Sequence, residues 1–274
     1  IFIVILNFNG WQNTIECLDS LAKLNIPKDI IIEPLVVDNA SSDDSVKKIK
    51  EELPKVTVIS NQTNLGFTGG SNEGARFALA SGADFVMLLN NDTIVHSDLA
   101  LNLLGPFEHD TVGGAVPKIY FEKGYEFHKS RYKDSERGKV IWYAGGKMDW
   151  NNLIGENIGV DEVDRGQFDI RIETDVATGC CFLIRSDVLK NVGLFDDRYY
   201  LYYEDADLSE RIKKAGFKIV YQPKAIIWHK NAGSGGGSGS LLQDYYITRN
   251  RLLFGMNYAP IRTKIALLRE SLNL

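Results

Sequence analysis

An α/β fold, with a mostly parallel central sheet covered by helices on both faces, is what this sequence predicts. Short runs of apolar, β-branched residues alternate with amphipathic stretches through the first half of the chain. Continuous apolar strands of that kind are buried on both faces, as they are when helices flank a parallel sheet. A cluster of Asn, Asp, Ser and Gly follows each run, and open parallel sheets bind ligands beyond the carboxyl ends of their strands. With 274 residues, 44% of them hydrophobic, the chain is long enough to bury such a core.

The strands of the first half are expected at Ile1–Leu6, Ile31–Val37, Val56–Ile59 and Asp84–Leu89, and the helices at Trp11–Lys23, Asp43–Leu53 and Ser71–Ala80. The opening run lacks a charged n-region and a cleavage site, so it reads as a strand and not as a signal peptide. Behind the four strands stand NFNG (Asn7–Gly10), DNASSDDS (Asp38–Ser45), NQTNLGFTGGSNEG (Asn61–Gly74) and NNDT (Asn90–Thr93). From Lys118 to Arg171 the rhythm stops, and a long irregular excursion with a hairpin around Val140–Trp150 is expected. Order returns with a buried strand at Thr178–Arg185 and a short capped helix at Ser186–Asn191.

Tyr199–Gly216 starts aromatic and turns into an amphipathic helix that ends at a glycine. Two strands follow, Phe217–Tyr221 and Ala225–Trp228. Asn231–Ser240 is rich in Gly and Ser, the composition of a flexible linker or a mobile active-site loop. The tail, Leu241–Leu274, reads as helix broken at Pro260; Arg249, Arg251, Arg262, Lys264 and Arg269 outnumber Asp244 and Glu270 in it.

Charge and cysteine usage exclude several classes. The net charge is −5 and the pI about 5.5, which argues against nucleic acid, because phosphate backbones call for a basic face. Cys17, Cys180 and Cys181 have no metal-ligand spacing and read as reduced, buried thiols of a cytoplasmic protein. No apolar run approaches the roughly 20 residues that span a bilayer.

Four features could carry chemistry. NNDT puts Asp92 behind two amides at a strand end, where a carboxylate can hold Mg²⁺ or Mn²⁺ against substrate phosphates; an Asn/Asp turn is the plainer reading. Glu204, Asp205 and Asp207 open a helix, where acidic residues complement the dipole and Asp207 can pair with Arg211. Yet neighbouring carboxylates raise one another's pKa, as a general base near neutral pH requires. His229 ends a strand just before the Gly/Ser stretch, as a partly buried side chain or as a metal ligand. Gly66–Gly70 (GFTGG) precedes the helix expected from Ser71 and lets backbone approach an anion, though it matches neither a dinucleotide fingerprint nor a phosphate-binding P-loop.

In this order the motifs resemble glycosyltransferase family 2, and in particular its bacterial rhamnosyltransferase-like branch. The residues that carry the resemblance are NFNG, VVDNASSDDS (Val36–Ser45), NLGFTGGSNEG (Asn64–Gly74), LLNNDT (Leu88–Thr93), TGCCFLIR (Thr178–Arg185), Gly193–Gly216, and the WHK and RN groups (Trp228–Lys230, Arg249–Asn250). The family implies a GT-A fold: a Rossmann-like, mostly parallel sheet with helices on both faces and a helical tail. It implies one catalytic domain over residues 1–256, with 1–117 binding the nucleotide sugar, 118–256 serving acceptor and catalysis, and 257–274 forming the tail.

By resemblance, Asp38 contacts the donor's base, Asn7 and Asn9 line the nucleotide pocket, and Asn64, Gly69 and Gly70 lie beside ribose or phosphates. NNDT takes the family's DxD position, so Asp92 is the main ligand of Mn²⁺ or Mg²⁺, Asn90 replaces the first aspartate, and Asn91 belongs to the donor site. His229 matches a position that ligates the metal in some members. Asp205 falls on the catalytic base within the pair Glu204–Asp205.

The implied reaction is an inverting, non-processive transfer from a nucleotide-diphosphate sugar, dTDP- or UDP-linked, to a saccharide or lipid-linked acceptor in cell-surface polysaccharide synthesis. The QxxRW motif and membrane helices of processive synthases are not found in the sequence. The basic tail raises the expectation of a peripheral contact with the inner membrane face. Two rival readings share the α/β fold. A sugar-nucleotide pyrophosphorylase needs a basic Gly-rich loop after the first strand, where Trp11 and Gln12 stand instead. A catalytically inactive nucleotide-sugar-binding module would not need Asp92, Asp205 and His229.

Overall fold

In the computed structural model, residues 1–231 and 240–271 are described, with the side chains of 271 onward left aside. Expectations for the Gly/Ser stretch between 232 and 239 lie outside the described residues.

The first half alternates as its pattern demands. It runs β1 (Phe2–Asn7), α1 (Trp11–Leu21), β2 (Glu33–Asp38), α2 (Ser45–Glu52), β3 (Thr57–Ser60), α3 (Gly66–Ala80), β4 (Phe85–Asn90), β5 (Thr93–Val95) and α4 (Leu99–Leu104). A long strand β6 (Val112–Phe121) enters the excursion, which contains β7 (Ile141–Tyr143), β8 (Gly146–Asp149), β9 (Ile154–Asn157) and β10 (Ile172–Glu173). The second half completes the fold with β11 (Cys181–Arg185), α5 (Ser186–Val192), α6 (Glu204–Lys214), β12 (Lys218–His229), α7 (Leu241–Tyr258) and α8 (Ile261–Ser271).

The main sheet runs β10-β12-β6-β11-β4-β1-β2-β3, with β5 added to β12 and β7 to β6. β3, β2, β1 and β4 are mutually parallel, and β11 runs antiparallel between β4 and β6. Side chains alternate between faces along a strand. On β1 the face of Val4 and Leu6 receives α3, while Asn7, on the opposite face, bonds Thr14 of α1. Helices therefore cover both faces, and Ile3, Ile5, Val36, Val37, Met87 and Phe182 are buried between them.

Parallel register lines up the strand ends. Asn7 pairs with Asp38, and Leu6 with Asn90. β12 finishes at the same edge, where His229 pairs with Thr93. β11 starts there, and the main-chain N–H of Asn90 donates to the Cys180 carbonyl (2.8 Å). Register alone thus gathers four polar segments from distant parts of the sequence.

Several local expectations change. α3 begins at Gly66, not at Ser71, so GFTGG is the first turn and a half of a helix and not a loop. The reason is packing: a Cβ on Gly70 would lie 2.4 Å from Leu6 Cδ1, and one on Gly74 2.3 Å from Val4 Cγ1. Glycine lets this helix sit close on the sheet. Phe217–Tyr221 and Ala225–Trp228 are one strand, β12, whose register against β6 shifts between Gln222 and Ile226. A β-bulge absorbs Pro223 without ending the strand. The hairpin lies later than expected, as β8–β9, because Ile141–Tyr143 is drawn onto β6. α5 forms, but Arg185 precedes it with no side-chain capping bond.

The tail is two helices that break at Pro260. The division placed at 256/257 falls inside α7. Gly255 gives α8 its seat: a Cβ there would meet Leu267 Cδ1 at 2.3 Å.

Candidate active site

Two side chains from separate strand ends meet at the carboxyl edge of the sheet. Asp92 follows β4 and His229 ends β12; both are buried, with His229 Nε2 3.1 Å from Asp92 Oδ1. The pairing of β12 with β5 sets this distance, and the Lys230 N–H locks it by donating to the Asp92 carbonyl at 2.9 Å. Trp142 packs its ring edge-on against the imidazole, centroids 4.7 Å apart. His229 Nδ1 is buried without a hydrogen-bond partner.

The pair fits a divalent cation. Two ligands of one octahedral ion, each at about 2.1 Å, are about 3 Å apart, which is the Asp92–His229 separation. Among the described residues no group of three or more His, Cys, Asp or Glu gathers to hold a metal. Two protein ligands would suit an ion completed by substrate phosphates. Asn90 is held through its main chain, its carbonyl accepting from Thr93 Oγ1 (2.7 Å). Asn91 braces α1: its Nδ2 donates to Thr14 Oγ1 (3.0 Å) and to the Gly10 carbonyl (3.4 Å).

Beside this pair lies a charged group to which sequence reasoning assigns no role. The Lys230 ammonium is buried against Glu16, and it donates to Asn13 Oδ1 (3.1 Å). Burial alone would lower its pKa, but the Glu16 carboxylate outweighs that and raises it. Burial raises Glu122, with Lys230 acting the other way. The signal of Lys230 in the sequence is its place in the WHK group (Trp228–Lys230).

A second polar cluster covers the ends of β1 and β2. Asp38 is buried, and its Oδ1 accepts from Asn7 Nδ2 (2.7 Å) and Ser41 Oγ (2.6 Å) while Oδ2 accepts from the Ser41 N–H (3.0 Å). Asn9, in left-handed backbone (φ 51°), accepts on Oδ1 from the Ser42 N–H at 2.8 Å. Asn64 is exposed and caps the start of α3, accepting from the Gly66 N–H (2.8 Å) and from Asn39 Nδ2 (2.8 Å). Gly69 packs on Leu65, and the buried Gly70 on Leu6 and Asn39. The close approach of these glycines is to protein, not to open space.

The acidic helix start is reached from the Asp92–His229 pair through the start of β11. Asn90 holds Cys180, and the neighbouring Gly179 N–H donates to Asp205 Oδ2 (3.2 Å). Asp205 is partly buried; its other oxygen accepts from the Ala206 N–H (2.8 Å). Its pKa is raised chiefly by burial, against these two amides. The expected help from Asp207 is not what acts, because Asp207 is neutralised by Arg211 (2.8 Å) and accepts from Tyr258 (2.7 Å). Glu204 does not cap its helix. It is buried with Oε2 unpartnered, and burial followed by the charge of Asp205 pushes its pKa well up. Leu208 and Ile212 face the core.

The three thiols are buried and free, with Cys17 pushed up to about 12 by burial. That leaves them no nucleophilic part at this edge.

Comparison with known proteins places the chain among glycosyl transferases. The family model "Glycosyl transferase family 2" matches residues 2–193. The chain is 27% identical over 230 residues to the N-acetylglucosaminyl-diphospho-decaprenol L-rhamnosyltransferase of Mycobacterium tuberculosis, covering 79% of this chain and 72% of that protein. It is 26% identical over 259 residues to the poly-beta-1,6-N-acetyl-D-glucosamine synthase of Staphylococcus aureus, covering 88% of this chain and 55% of that one. Among solved structures, GalNAc-T7 with UDP, GalNAc and Mn²⁺ superposes with a TM-score of 0.69 at 20% identity, over 90% of this chain and 46% of that one. The chain thus spans about half the length of the latter two. The fold is GT-A.

Proposed function

The chain belongs to glycosyl transferase family 2, and we propose that it is an inverting, metal-dependent, non-processive enzyme. In this reading it moves a sugar from a nucleotide diphosphate to a saccharide or lipid-linked acceptor in cell-surface polysaccharide synthesis. Its similarity to a rhamnosyltransferase favours a dTDP-linked rhamnose donor, with a UDP-linked sugar as the second candidate. The observation that carries the reading is the buried Asp92–His229 pair, joined through Asn90, Cys180 and Gly179 to the raised carboxyl of Asp205.

In this scheme Asn7, Asn9, Asp38 and Asn64 shape the nucleotide pocket, Gly69, Gly70 and Asn91 hold its walls, and Asn90 lies beside the diphosphate. Asp92 and His229 would hold Mn²⁺ or Mg²⁺, which would supply positive charge to stabilise the departing diphosphate. Asp205 takes the proton from the acceptor hydroxyl as that oxygen attacks the anomeric carbon from the face opposite the leaving group. One displacement of this kind inverts the configuration. Residues 1–117 serve the donor and 118–256 the acceptor and catalysis.

The tail from 257 is proposed to touch an anionic membrane surface. No described helix is long and apolar enough to cross a membrane, but α8 exposes Ile261, Ile265 and Leu268 beside Arg262, Lys264 and Arg269. Apolar and basic side chains on one exposed helix are how interfacial helices bind. Sedimentation with anionic vesicles should capture the chain, and an Ile265→Asp/Leu268→Asp variant should stay in the supernatant.

Thermal shift across a panel of nucleotide sugars, with and without Mn²⁺, tests the donor and the metal together. Stabilisation is expected from dTDP- or UDP-sugars only when the ion is present. Calorimetry of Asp92→Ala should show that metal-dependent binding lost; unchanged affinity and metal dependence would overturn the assignment.

A further inference from the structure

The short loop between Tyr199 and Glu204 has an unusual backbone. Tyr200, Tyr202 and Tyr203 all have left-handed φ, at 64°, 67° and 70°. Bulky residues avoid this region, and segments held in it need over-determined surroundings. Tyr203 is the residue on which α6 starts, so this loop sets where the helix, and with it Asp205, begins.

One buried side chain holds the loop. Asn250 of α7 has no exposed surface, and its Nδ2 lies 2.8 Å from the Tyr199 carbonyl, 2.7 Å from that of Leu201 and 2.8 Å from that of Tyr202. Two N–H bonds are thus shared among three acceptors. Its Oδ1 accepts from Arg249 Nη1 (3.0 Å), and Arg249 Nη2 donates to the Arg198 carbonyl (2.8 Å). From the other side the Thr68 N–H of α3 donates to the Tyr200 carbonyl (3.1 Å). Gly66 leaves room for that contact, since a Cβ there would lie 2.5 Å from the same oxygen. Loop carbonyls turned onto a buried side chain need donors there, and among the described residues Asn250 reaches those of three of the five residues from Tyr199 to Tyr203.

We infer that Asn250 is a positioning residue for the transfer step: it clamps the left-handed tyrosine loop and thereby fixes the start of α6 that aims the Asp205 carboxylate. This rests on the reading of Asp205 as the base. Asn250 touches neither Asp205 nor the metal pair in any recorded contact, so its effect runs through the loop backbone. Aspartate at 250 would set a negative charge against three carbonyl oxygens, and alanine would take the side-chain donor from all three, leaving the Tyr199 carbonyl only the Leu201 N–H (2.7 Å).

Asn250→Ala and the milder Asn250→Ser, which keeps one short donor, are the variants to compare. Each should lower the transfer kcat per folded molecule by 10-fold or more, Asn250→Ser less than Asn250→Ala, while donor affinity in the presence of Mn²⁺ is unchanged. The acid limb of the kcat profile should move to lower pH, because a loosened α6 start lets water reach a carboxyl that burial had raised. A purely structural role would lower Tm and leave that limb in place.

The double variant Asn250→Ala/Asp205→Asn separates the two readings. It should be no slower than Asp205→Asn alone, because a positioning residue has nothing left to position. Near-normal turnover by Asp205→Asn would sink the base assignment itself. A slow Asp205→Asn to which Asn250→Ala adds its full factor would overturn the positioning role alone, as would Asn250→Ser with normal kcat and an unmoved limb.

Discussion

Glu204 and Asp205 are consecutive carboxylates in different surroundings. Asp205 is partly buried and takes two backbone amides, which keep its ionised form accessible despite burial. Glu204 is buried with an oxygen that has no donor. Asp205→Asn keeps the shape and one of the two amide contacts but cannot take a proton, so transfer should fall by roughly 10²–10⁴-fold with donor binding intact. A base acts when deprotonated, so wild-type activity should rise with pH through a limb above the ordinary aspartate range, reflecting the raised pKa. That limb should vanish in Asp205→Asn. For Glu204 the sign is the stability of the fold. A carboxyl whose folded pKa is raised contributes stability that is full below its unfolded pKa and fades as pH rises through the folded one. Glu204→Gln should therefore leave Tm unchanged near pH 4 and raise it at pH 8; a lower Tm at pH 8 would show that the buried charge has a partner.

At the scale of elements, α3 shows both the reach and the limit of sequence reading. Alternating apolar runs gave β1, β2, β3 and β4 to within two residues at each end, because buried parallel strands need apolar side chains on both faces. The same reading took GFTGG for a ligand loop. Nothing local says whether a glycine faces a ligand or a strand; only the sheet beneath α3 decides it. Gly74→Ala tests that packing: its Cβ would press on Val4 and Val37. Overpacking costs about 1–3 kcal/mol, against which the helix propensity of alanine returns about 1 kcal/mol. Urea unfolding should show a net loss, with donor binding per folded molecule preserved. β12 failed for a similar reason, since a bulge that carries Pro223 through a strand is a tertiary accommodation. At the site, strand-end polar motifs single out Asp92 and His229 from sequence, and the acidic start of a helix singles out Asp205. The pairings of Lys230 with Glu16, and of Asn250 with the tyrosine loop, are not legible, because each joins residues 48 or more positions apart through contacts with no sequence period.

Across the whole molecule, the irregular stretch from Glu122 to Arg171 has to be fastened to the sheet that carries the donor site, and a buried ion pair does this. Lys118, on β6, is 2% exposed; its ammonium contacts Asp164 (2.7 Å, 7% exposed) and the exposed Asp169 (2.5 Å), and Tyr120 donates to the same Asp164 oxygen (2.5 Å). These donors win over burial and leave the Asp164 pKa lowered. A depressed carboxylate contributes stability above its unfolded pKa and loses it as pH falls through the folded one, so the fastening should weaken only below about pH 4. Lys118→Met removes the cation and strands Asp164 in a buried place, which costs about 3–5 kcal/mol. The excursion also brings Trp142 onto the His229 ring and forms much of the half assigned to the acceptor. Local loosening should therefore raise the acceptor KM more than the donor KM. Lys118→Met/Asp164→Leu removes the uncompensated charge as well and should recover most of the lost stability. Hydrogen exchange of Lys118→Met should be fastest between residues 122 and 171, with β1, β2 and β4 protected as in the wild type. Uniform acceleration across the sheet, or equal increases in the two KM values, would show that the ion pair supports the whole fold and not the fastening of this one segment.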